Sequence, residues 1–135
     1  MSGAEDALES AILAVLVADA GVRSALGDPP RVFEVAEARP AYPYLEIVRH
    51  EVTAAGSQGS EANEHRIDLA IVSREGGRRE ARAALTAVRG ALAGASPTME
   101  SWRCVLLIPV FADPVCGKFG AYRALLRIKA VVEPA

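Results

Sequence analysis

Two segments of period-two alternation, Tyr44 to Val52 and His65 to Ser73, constrain this chain more than any other feature. In the first, Leu45 and Ile47 lie across from Glu46 and Val48. In the second, Ile67, Leu69 and Ile71 share one face, and Arg66, Asp68 and Ala70 take the other. Such patterning specifies half-buried strands. The polar stretch TAAGSQGSEANEH that begins at Thr53 is too long for a tight turn and too hydrophilic to pack. The two segments therefore read as an antiparallel hairpin with a flexible loop at about residues 53–64.

Around that hairpin the sequence supplies covering helices and further strands. Leu8, Ile12, Val15 and Leu16 fall on one helical face near the amino terminus, with Leu13 and Val17 on the opposite side. A helix apolar almost all round after Ser10 must be enclosed by its own domain or covered by another subunit. Ser2 and Glu5 have capping-box spacing at its start, and Gly21 is its expected end, with one further turn over Val22 to Leu26. Val32 to Val35 is a short strand candidate. Ala81, Leu85, Val88 and Leu92 form the stripe of a second helix, opened by Gly76-Gly77 and closed by Gly94. Arg103 to Phe111 and Tyr122 to Val132 read as strands. Pro109, which cannot donate to a ladder, assigns the former to a sheet edge or a bulge. The order α-β-β-β-α-β-β predicts one α+β domain over residues 1–135, a mainly antiparallel sheet of four to five strands with two helices on one face.

Composition excludes several function classes. With 51% hydrophobic and 24% charged residues, a chain of 135 residues buries one sizeable core and is not disordered. A formal charge of −2 provides no global attraction to nucleic acid or anionic membrane. The apolar run Ala11 to Ala18 is too short to span a bilayer and follows acidic rather than basic residues, which predicts a soluble, cytoplasmic protein. Cys104 and Cys116 have no metal-ligand spacing and read as reduced thiols, with a disulfide across a hairpin as the alternative.

Catalytic chemistry needs convergent groups, and the pattern offers few. His50 and His65, the 2 histidines of the chain, flank the loop. Pairing could bring them together for metal or general-base work, but no third ligand has the right spacing, and the plainer reading is two exposed strand-end residues. Gly56 to Ser60 lacks the closing Gly-Lys of a phosphate loop and precedes a strand rather than a helix. Glu46 and Glu51 have opposite strand parity, so they do not share a face unless a bulge intervenes, and no acid–base pair is expected. No catalytic residue, metal site or cofactor is expected. Arg78, Arg82 and Arg89 line one strip of the second helix, and Arg123, Arg127 and Lys129 line one face of the last strand. Without interleaved aromatics, both sets read as solvated or intersubunit salt-bridge surfaces.

The segments PAYPYLEI, HRIDLAIVSREGGRREARAALTAVRGAL and YRALLRIKAVVE, in this order after an amino-terminal helix and a short strand, resemble the tail-completion, or tail-terminator, proteins of long-tailed bacteriophages. Val72 stands where that family often has an aromatic residue. The Ala- and Arg-rich composition is also in keeping with a phage-derived gene transfer agent. The resemblance implies a structural subunit of a homo-hexameric ring that ends the tail tube and joins it to a head–tail connector or stopper protein. DNA would cross the lumen without sequence-specific binding. The protein would act in the bacterial cytoplasm during assembly and then at the head–tail junction. On this reading Gly56, Ser57, Gln58, Gly59, Ser60, Glu61 and Ala62 form a partner-binding loop. Leu13, Val17, Val110 and Phe111 lie at subunit interfaces, and the two basic sets face the lumen or a salt-bridge surface. The alternative is a stand-alone small-ligand-binding domain or minor enzyme with its site under the 53–64 loop.

Overall fold

The computed structural model describes residues 3–38, 40–56, 61–74, 76–114 and 121–135. Helix α1 (Ala4–Ala18) and the short α2 (Ala20–Leu26) precede β1 (Val32–Phe33), β2 (Tyr44–Ala54) and β3 (Asn63–Arg74). Helix α3 (Arg78–Leu92), β4 (Trp102–Asp113) and β5 (Ala121–Pro134) complete the fold. The strands form one five-stranded sheet in the order β1-β2-β3-β5-β4, antiparallel except for the short parallel β1–β2 pair. The α+β architecture and its mainly antiparallel sheet agree with the sequence reading.

Side-chain alternation builds the core. Ile67, Leu69 and Ile71 of β3 and Leu126, Ile128, Ala130 and Val132 of β5 point to one sheet face, where Leu69 stands opposite Leu126 and Ile67 opposite Ile128. Leu8, Ile12 and Leu16 of α1 and Ala81, Leu85, Val88 and Leu92 of α3 close over them. Each such large side chain contributes about 1.5–3 kcal/mol by leaving water.

Local signals shifted in three places. The α1 cap is Gly3, without a side-chain hydrogen bond, and Ser2 lies outside the described residues. The first helix breaks at Asp19 rather than Gly21, because the Asp19 carboxylate accepts from the Val22 amide at 3.0 Å and caps α2, which contains Gly21. The hairpin strands run further than the alternation suggested. Thr53 pairs with Glu64 and Ala54 with Asn63, and the Ala55 amide donates to the Ala62 carbonyl at 3.0 Å. The ladder therefore takes in much of the 53–64 stretch, and Ser57 to Ser60 lie outside the described residues.

Beyond the hairpin, the serine–arginine pair seats α3. Ser73 Oγ donates to Glu80 at 2.7 Å, and Arg74 donates to the other carboxylate oxygen at 3.0 Å.

Candidate functional site

The helices cover one face of the sheet and leave the other open. On β4, an edge strand, Leu106, Ile108 and Phe111 stand opposite Val131, Lys129 and Arg127 of β5 on the open face. Two register shifts, between Cys104 and Leu106 and between Pro109 and Phe111, make bulges at Val105 and Val110. The edge is thus both bulged and marked by proline. Bulges and proline discourage strand-to-strand addition, so the surface β4 offers is its side chains. Val105 (56% exposed), Leu106, Ile108, Val110 and Phe111 (48% exposed) form an apolar strip in water.

Charge borders that strip. Asp68, nearly buried on β3, accepts two hydrogen bonds from Arg127, at 2.7 and 3.2 Å, and the same guanidinium lies 5.4 Å from the Phe111 ring centroid. The carboxylate holds Arg127 protonated above its ordinary range. Lys129 and Arg66 both reach Glu64, at 3.4 and 2.8 Å, and hold its carboxyl below the usual carboxylate range, Arg66 most strongly. Arg127 and Lys129 therefore each pair with a carboxylate of the neighbouring strand β3. Arg123 is exposed on the same strand, and Arg78, Arg82 and Arg89 are exposed on α3, away from the sheet.

The remaining interface candidates separate. Val17 is 43% exposed at the end of α1, whereas Leu13 is half-buried and packs against the core. Gly56 and Glu61 are exposed and Ala62 is half-buried, while the loop candidates Ser57, Gln58, Gly59 and Ser60 fall outside the described residues. Cys104 is a free thiol whose Sγ donates to the Leu106 carbonyl at 3.3 Å, and burial pushes its pKa up. Cys116 lies outside the described residues.

The histidines correct the expectation of two exposed strand ends. His65 is fully buried, and His50 is nearly so. His50 Nδ1 lies 2.7 Å from Glu9 Oε2, and His50 Nε2 lies 2.8 Å from His65 Nδ1. The cause is the register shift between Ile47 and Arg49, which reverses the alternation of β2 and turns His50 onto the core face opposite Ile67, within reach of Glu9 on α1. Glu9 was missed in the sequence because it is 41 residues from His50, on a different element. No group of three metal-ligating side chains with suitable geometry occurs among the described residues. A groove lined by Asp6, Ser10, Met99, Glu100 and Ser101 lies between α1 and the segment before β4. None of the three residues of the histidine chain lines it. No described helix is long and apolar enough to cross a membrane.

This surface belongs to a fold with known relatives. No curated protein matches the sequence. Among solved structures, a chain of the "Virion of native gene transfer agent (GTA) particle" superposes with a TM-score of 0.85 at 25% identity, covering 98% of this chain and 99% of that one. The family described as tail completion protein gp17 matches residues 10–133, nearly the whole sequence and every strand of the sheet. The chain is a member of the tail completion protein gp17 family.

Proposed function

We propose that this protein is a structural, non-enzymatic subunit of a phage-like particle, and that copies of it form a ring at the head-proximal end of the tail tube. Family membership supports the tail assignment, and likeness to a chain of the gene transfer agent virion supports a place in a particle. The observation that carries the assembly reading is the exposed apolar strip on β4, next to fixed charges on β5. In a closed ring each contact joins one patch to a different patch on the neighbour. Val110 and Phe111 supply one patch and Val17 on α1 is the candidate for the other, with Leu13 behind it. The loop that includes Gly56, Glu61 and Ala62 reaches toward the tube or a neighbouring subunit. The ring number of six, the connector partner and the passage of DNA rest on the family resemblance.

Termination then requires no bond chemistry. One ring face matches the tube, and the other lacks the surface that seats another tube ring. The alternative of a small-ligand site under the loop has one observation in its favour, the Glu9–His50–His65 chain. That chain is engaged with itself, so the assembly reading stands first. Native mass spectrometry of the purified protein with and without tail tubes, followed by electron microscopy, tests it. Rings capping tube ends are expected. A particle reconstruction in which this chain touches no tail component overturns the reading.

A further inference from the structure

We propose that Glu9, His50 and His65 form a one-proton clasp that fastens α1 to the β2–β3 hairpin when the chain is deprotonated and loosens it when a proton enters. Donor and acceptor roles follow from the geometry. The Glu9 carboxylate only accepts, so His50 Nδ1 carries the hydrogen across the 2.7 Å contact. In a neutral His50, Nε2 is then a bare acceptor, so His65 Nδ1 donates across 2.8 Å. Both hydrogen bonds point toward Glu9. His65 Nε2 remains as a lone pair, buried and without a partner.

One added proton cannot be accommodated without cost. If it binds His65 Nε2, the imidazolium is buried. If the charge settles on His50 instead, the proton on His65 Nδ1 crosses to His50 Nε2, the bond between the rings reverses, and His65 takes up the new proton on Nε2. Either way an N–H appears at an atom with no acceptor, and a buried unpaired donor is destabilising. The groups facing the pair do not remove that cost. Glu5 and Glu9, one turn apart on α1, supply negative charge, and His50 comes from β2. The core-face neighbours on β5 are the apolar Ile128, Ala130 and Val132. Burial first, and His50 second, depress the His65 pKa below its ordinary value of 6.5, against the raising effect of Glu5. Stability from this group is therefore complete above the unfolded value and is lost as pH falls from there toward the folded one.

Nitrogen-detected NMR of the imidazoles in the full chain tests the assignment. At about pH 7.5 both rings are expected as Nδ1–H tautomers, with His65 Nε2 bare. As the pH is taken from there down through and below the ordinary imidazole value, one proton enters the coupled pair and appears at His65 Nε2. Amide exchange in the middle of α1 and at Val52, corrected for intrinsic rate, should rise severalfold as the proton enters. His65→Leu should abolish this rise. If that variant does not fold, Glu9→Gln, whose amide oxygen still accepts from His50, should move the transition to lower pH. A His65 that carries its hydrogen on Nε2 at pH 7.5, or exchange rates indifferent to pH across this window, overturns the proposal.

Discussion

Ser73 and Arg74 show how single residues set the pose of a helix. Both grip Glu80, which Arg74 first and Ser73 second hold below its ordinary carboxylate value of 4.5. A depressed carboxylate contributes stability above its unfolded value and loses it as pH falls through the folded one. Glu80→Gln should therefore lower the thermal midpoint at neutral pH and flatten its decline below about pH 4.5, measured by circular dichroism melts. Next to this clamp, a Cβ on Gly77 would collide with the Ser73 side chain and come within 2.8 Å of the Arg74 carbonyl. Gly77→Ala should cost about 1–3 kcal/mol in urea unfolding, through this overpacking rather than through helix propensity. The serine–arginine pair was visible in the sequence. Its partner was not, because the approach of Glu80 depends on how α3 packs against the end of β3.

Among the elements, β4 and β5 are neighbours with opposite duties. β5 places Leu126 and Ile128 in the core, so Leu126→Ala should cost about 2–5 kcal/mol in chemical unfolding, by burial lost and cavity gained. β4 exposes Val110 and Phe111, so Val110→Asp or Phe111→Asp should leave the unfolding midpoint of the monomer nearly unchanged. Either change should weaken assembly, read by native mass or by the fraction of capped tubes. Loss of the thermal transition instead would assign the strand to the core. Val17→Asp belongs with these surface changes, whereas Leu13→Asp also damages packing, since Leu13 lies against the core.

Over the whole molecule, the β2–β3 ladder closes through the Ala54–Asn63 pair and the Ala55–Ala62 hydrogen bond. Replacing Gly56 to Glu61 by an Asn-Gly turn keeps the β2–β3 ladder closed, because Ala55 and Ala62, already hydrogen-bonded, then flank a two-residue connection in the native register. The shortened chain should fold with an unchanged circular dichroism spectrum and fail to attach to tail tubes. Normal attachment would remove the role assigned to the loop.

The alternation of β3, the stripe of α3 and the proline of β4 were legible in the linear order, because strand and helix periodicities are local and the backbone obeys them wherever a core exists. They were enough for an α+β fold with an edge strand. The helix break at Asp19 was less legible, since it depends on one carboxylate reaching one amide. The hairpin already allowed His50 to approach His65, but the arrival of Glu9, and the union of Asp68 with Arg127 59 residues away, existed only once the chain had closed on itself. No local preference encodes such partners: packing selects them, by bringing distant side chains within hydrogen-bond reach and excluding the water that would otherwise satisfy them.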